Sequence, residues 1–168
     1  MFVTCKSAVV LLVCGASVVL AAGPPPALKD PFLDNFVAQC SVARKMGDGR
    51  TIGSNVQGEW VLNQFIQLHY GAGGKTPEYE ALVFIGYDDA TRMYVCHWVD
   101  VYGGHYSGIG RGRLDPNLLS VEFEFDSKEG SLTNKFAFDP ETKSWTSLIR
   151  QEESRQWKTF AEEKWTRK

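Results

Sequence analysis

The chain has 168 residues, of which 43% are hydrophobic, 23% charged and 12% aromatic, with a formal charge of −2. That length suits one domain with a core of its own, and the composition argues against disorder. The charge is nearly balanced and no basic run occurs, which argues against a nucleic-acid partner, because phosphate binding needs a concentrated basic surface.

Residues 1–22 read as a secretory signal. Lys6 supplies a thin positive start, Ala8–Leu20 is an unbroken run of apolar and small residues, and Ala21, Ala22 and Gly23 form a small-residue cleavage region. A cut after Gly23 would leave Pro24 first, so cleavage is expected after Ala21 or Ala22. An uncleaved anchor is the other reading, but the apolar run is shorter than the roughly 20 residues that a spanning helix needs. Cys14 follows Val13 inside that run and makes a poor lipoprotein site. The expectation is a periplasmic or secreted protein with no stable membrane anchor after cleavage. Pro24-Pro25-Pro26 forms a stiff spacer, so residues 23–31 are read as a linker and 32–168 as a single domain.

Strands and turns then alternate about every ten residues. The candidates are Asn35–Met46, Thr51–Leu62, Phe65–Tyr70, Tyr79–Tyr87, Arg92–Tyr102, Tyr106–Leu114, Leu118–Phe125, Leu132–Phe138, Ser144–Arg150 and Trp157–Thr166. Gly47-Asp48-Gly49, the loose Gly71–Gly74 loop, Asp88-Asp89, Gly103-Gly104, Asp115-Pro116-Asn117, Lys128-Glu129-Gly130 and Asp139-Pro140 punctuate them. Only Pro31–Asn35 hints at a helix, and it is too short to weigh in the fold.

Late in the chain, Leu119, Val121, Phe123 and Phe125 alternate with Ser120, Glu122, Glu124 and Asp126, and Leu132, Asn134, Phe136 and Phe138 repeat the pattern. Such walls are apolar inside and wet outside. Ten short strands of this kind predict an all-β fold, an antiparallel up-and-down β-barrel, since closure removes exposed edges. In Tyr79–Tyr87 and Arg92–Tyr102 both faces are largely apolar, which predicts an outer cover: a homodimer interface through the Tyr79–Tyr102 hairpin, or packing by the Leu28–Phe36 segment. Scattered exposed hydrophobes are the alternative.

The central block Glu80-Ala81-Leu82-Val83-Phe84-Ile85-Gly86-Tyr87-Asp88, Tyr94-Val95-Cys96-His97-Trp98-Val99-Asp100 and Gly103-Gly104 resembles a family of exported bacterial domains of unknown function. Gly58-Glu59-Trp60 and Phe160-Ala161-Glu162-Glu163 fit the same pattern, and the resemblance spans about residues 32–167. It implies a calycin-like barrel, distantly akin to lipocalins, fatty-acid-binding proteins and nitrobindins. The nitrobindin branch would imply haem on a histidine late in the chain. No histidine follows His105, so haem is not expected, nor is any other cofactor.

Five residues are candidates to line a ligand cavity: His97, Trp98, Asn134, Phe136 and Trp145. His97 shares a face with Met93, Val95 and Val99, where it would be a ligand contact or a core imidazole satisfied by backbone or tyrosine. Asn134 sits between Leu132 and Phe136, where it would orient a ligand head or satisfy a backbone group at a bulge. Cys40 and Cys96, the only cysteines after the signal, would pair in an oxidising compartment or remain two buried thiols. Cys96 and His97 are strand neighbours that point to opposite faces, which disfavours a thiol–imidazole pair. His69, His97 and His105 match no metal spacing, and no metal site is expected. Glu122, Glu124 and Asp126 read as a solvated wall. Gly108-Ile109-Gly110-Arg111-Gly112 lacks the ending and the helix of a phosphate loop, and reads as a strand that bends or admits bulky neighbours.

These readings favour an exported protein that binds a small apolar ligand in its barrel. An oligomeric interaction domain with a filled core and an enzyme using His97 and Asp100 are the alternatives. The enzyme is the weaker of the two, since His97 and Asp100 should not share a face.

Overall fold

The computed structural model describes residues 23–72, 79–126 and 130–168. Residues 1–22, expected to be a signal, Gly73 and Gly74 of the expected loop, and Lys128-Glu129 of the expected turn lie outside the described residues. One short helix, α1 (Pro31–Asp34), precedes eleven strands: β1 (Gln39–Met46), β2 (Thr51–Val61), β3 (Phe65–Tyr70), β4 (Ala81–Asp88), β5 (Met93–Asp100), β6 (Gly108–Gly112), β7 (Leu114–Asp115), β8 (Ser120–Phe125), β9 (Leu132–Asp139), β10 (Ser144–Glu153) and β11 (Gln156–Arg167).

Apart from β6 and β7, each strand pairs antiparallel with its neighbour in sequence, and β1 closes the ring against β11 from Cys40↔Arg167 to Met46↔Ala161. The two-residue β7 keeps the register that β6 holds against β8, so β6 and β7 act as one interrupted strand. The result is the expected antiparallel up-and-down barrel of ten strands, calycin-like in architecture. Closure pairs every edge, as the sequence of short, one-sided strands requires.

Inward residues alternate along each strand. Val83 and Ile85 on β4, Val121 and Phe123 on β8, Phe136 on β9, Trp145 on β10 and Trp165 on β11 are all buried. Gly110 faces inward as well, where a side chain would overlap the ring of Phe125, so the glycine-rich strand makes room for a bulky neighbour.

The segment before β1 corrects two expectations. It does not cover the outer wall, and its short helix matters. Asp30 caps α1 by accepting from the N–H groups of Phe32 (2.9 Å) and Leu33 (3.1 Å), with Pro31 in the first turn. This cap turns Phe32, Leu33 and Phe36 into one mouth of the barrel, where all three are buried. Phe36 stacks on Trp145 (centroids 3.8 Å apart, 11° between planes). Phe32 meets Tyr94 and Trp145 edge-on. The spacer is also tied down: Leu28 N–H donates to the Asn63 carbonyl (2.8 Å), and Gln64 donates to the Pro26 carbonyl (2.7 Å). The apolar outer face of β4, β5 and β6 stays uncovered among the described residues, with Leu82, Val99 and Ile109 exposed.

Gly58-Glu59-Trp60 is the seat of this plug. Gly58 N–H donates to the Ala38 carbonyl (2.8 Å), and a side chain at Gly58 would overlap the backbone of Phe36. Trp60 Nε1 donates to Asp34 (2.9 Å).

Candidate functional site

At the far end, opposite the plug, β1, β3, β5, β8 and β10 end. Strands β1 and β11 bring two charges together inside the barrel just below it. Arg44 shares the inward face of β1 with Cys40 and Val42, and Glu163 shares that of β11 with Ala161 and Trp165. They are direct register partners. Arg44 Nε and Nη2 reach Glu163 Oε1 at 2.6 and 2.5 Å, and the Glu163 side chain is completely buried. Glu163 Oε2 accepts from Trp165 Nε1 at 2.9 Å and lies 3.5 Å from the Tyr70 hydroxyl.

The Arg44 guanidinium lies over Tyr79 (4.8 Å to the ring centroid) and Tyr70 (5.7 Å). Burial alone would lower its pKa, but Glu163 beside it holds it above the ordinary arginine value. Burial raises the Tyr70 phenol well above the usual range, with the Glu163 charge adding to it. Burial likewise raises Tyr79. A buried pair is tolerable only when its spare lone pairs and protons are satisfied, and here the indole and the aromatic faces do so.

A second chain of bonds runs from this pair to the rim. Trp98 Nε1 donates to the Tyr79 hydroxyl (2.9 Å), which donates to Asp100 Oδ2 (3.2 Å). Asp100 Oδ1 accepts from the Tyr102 N–H (3.0 Å). The β5–β6 loop then displays Val101, Tyr102 and Tyr106 to solvent.

The five cavity candidates fall in three places. Trp98 belongs to the far-end cluster. Phe136 and Trp145 face inward but pack against Phe36 of the plug, and Trp145 Nε1 donates to the Asn35 carbonyl (3.2 Å). Asn134 also faces inward, and its Oδ1 accepts from the buried Ser147 hydroxyl (2.8 Å). This bond pairs Asn134 with a side chain on the neighbouring strand β10. His97 is the correction. Tyr94, Cys96 and Trp98 take the inside of β5, so His97 lies on the outer wall between Phe84 and Ile109. It therefore cannot reach Asp100 inside the rim, as the odd spacing implied.

Cys40 and Cys96 are free thiols, both buried. Three strands separate β1 from β5 around the ring, which rules out the short Cα separation that a bridge needs. Burial raises both thiols, offset at Cys40 by Arg167 and Lys168. Alkylation without reductant should leave both residues unlabelled in the native protein and label both in denaturant, read by mass. Labelling of neither in denaturant would mean that they are bridged.

A groove of about 570 Å³ lies on the outside, across β1, β11, β10 and β9, with Lys45, Lys135 and Lys164 around Glu162. Alternating charges on exposed neighbouring strands are the ordinary make-up of a solvated wall.

Sequence reasoning missed Arg44, Glu163, Tyr79 and the role of Gly58. The signal for the first two was weak: Arg44 shares a face with Cys40 and Val42, and Glu163 with Ala161 and Trp165, but a charged residue adjoins each in sequence. Comparison with protein-family models and with curated proteins finds no match.

Proposed function

We propose that this is an exported protein that takes a small ligand with an apolar body at the barrel end opposite the plug. The observation that carries this reading is the asymmetry of the two ends. One end is filled by Phe32, Leu33 and Phe36, and the other has a bonded polar cluster beneath exposed aromatic rings. A few fixed polar groups among aromatic walls are what small-molecule sites use for orientation. The segment 1–22 and the resemblance around residues 80–104 support export.

A second reading rests on a different observation. The outer face with Leu82, Val99 and Ile109 exposed favours a homodimer or interaction module with a filled core. Native mass spectrometry of the mature protein, purified from the periplasm without detergent, separates the two. An adduct lost on denaturation is the expected result. A bare protein at twice the monomer mass would overturn the ligand reading in favour of the dimer.

A further inference from the structure

Among the described residues, the far-end rim holds a carboxylate with no charged partner. Asp100 is half-buried at the end of β5, and both of its oxygens accept hydrogen bonds, from Tyr79 and from the Tyr102 backbone. Neither donor is charged, and no lysine, arginine or histidine among the described residues forms an ion pair with it. Tyr79 bonds to it, and a row of tyrosine rings extends from Tyr79 through Tyr102 to Tyr106. Tyr79 and Tyr102 lie 6.1 Å apart with 37° between planes, and Tyr102 and Tyr106 lie 6.1 Å apart with 74° between planes. Tyr102 is 65% exposed and Tyr106 57%.

Large aromatic faces left in water are unfavourable surface, and a carboxylate beside them adds a negative potential to the negative faces of the rings. What satisfies both is a cation that also carries apolar surface. Tyr79 already shows this preference on its inner side, where the Arg44 guanidinium lies 4.8 Å from its centroid. A bare divalent metal would fit poorly, because it needs several oxygen ligands and the described residues hold no cluster of three or more ligating groups there. A neutral sugar would stack on the exposed rings but would leave Asp100 unmatched.

We infer that the Tyr79–Tyr102–Tyr106 cluster with Asp100 is a subsite for an organic cation of the methylated or quaternary ammonium class. The methyl groups rest on the tyrosine faces and the positive charge faces the carboxylate. This deepens the ligand reading above and rests on it: the barrel takes the apolar body, and the rim selects a positively charged head.

The test is a titration of the purified protein with choline and with its uncharged tert-butyl isostere, followed by NMR at the Trp98 indole N–H, which donates to Tyr79. Choline should move that resonance and bind at least about tenfold more tightly than the isostere. Asp100→Asn should abolish the preference, and Tyr106→Ala, at an exposed ring outside the Asp100 bonds, should weaken choline binding with the far-UV spectrum unchanged. Equal affinity for the two probes, no shift with choline, or a preference that survives Asp100→Asn would each overturn the inference. An uncharged adduct in native mass spectra together with no choline binding would retain the ligand reading and remove the cation. A bare protein in those spectra that also fails to bind choline would remove both.

Discussion

Replacing Glu163 with alanine should destabilise the barrel by about 3–5 kcal/mol, the loss typical when one partner of a buried pair is removed and the other charge stays behind. The Glu163 side chain is completely buried and accepts from Arg44 and Trp165, and the Arg44 side chain is only 12% exposed. In Glu163→Ala, Arg44 keeps its charge, loses its counter-ion and remains among the rings of Tyr70 and Tyr79. Glu163→Gln should lose less, because an amide oxygen still accepts from the guanidinium and the indole. The double replacement Arg44→Met with Glu163→Leu should recover most of the stability, since apolar side chains of similar size need no partner. Urea unfolding followed by circular dichroism gives all three. A double variant as unstable as Glu163→Ala would show that the defect is lost packing and not a stranded charge. The choline titration on the double variant has a separate use. If the rim acts through Asp100, the preference for the cation should persist after Arg44 and Glu163 are gone.

That pair also shows where the sequence was readable and where it was not. The late strands were legible because one face meets water and the other does not. Phe123 and Phe136 are fully buried where the alternation placed them. On β5 both faces are apolar, so alternation divides the strand into two sets without saying which one turns inward. The inner set proved to be Tyr94, Cys96 and Trp98, and His97 went outside with the other. Arg44 and Glu163 were obscured by their neighbours. Ala43-Arg44-Lys45 and Glu162-Glu163-Lys164 read as solvated charge in one dimension. Only the pairing of first strand with last, which closure imposes, sets the two inward charges opposite each other. The far-end rim was hidden for another reason. Tyr79 precedes β4, Asp100 ends β5, and Tyr102 and Tyr106 come from the β5–β6 loop, so their grouping depends on where those strands start and stop. Periodicity fixes the faces of a strand far better than its ends.

The plug is the second place where a small change should have a large effect, and it separates a backbone requirement from side-chain burial. Phe36→Ala should destabilise by about 3–5 kcal/mol, as removal of a fully packed phenylalanine does. Phe36 is 2% exposed and meets Trp145, Phe32, Phe136 and Trp165. Gly58→Ala adds a single methyl group and removes no contact, yet its effect should be of similar size. The new Cβ would fall on the carbonyl of Phe36, a backbone atom fixed by the adjoining bond from Gly58 N–H to Ala38. The strand cannot yield without breaking its pairing to β1 and β3, so the segment from Asp30 to Ala38 must lift instead. The two variants then differ in a measurable way. Phe36→Ala leaves a cavity under a seated plug, whereas Gly58→Ala unseats the plug and admits water to Trp145, with a red shift of tryptophan emission and faster proteolysis before residue 39. Asp34→Ala serves as the control, because its bond to Trp60 lies in solvent and its loss should change stability by less than about 1 kcal/mol. If Gly58→Ala proves as stable as wild type, the plug backbone has slack, and the seating is due to Phe32, Leu33 and Phe36 alone.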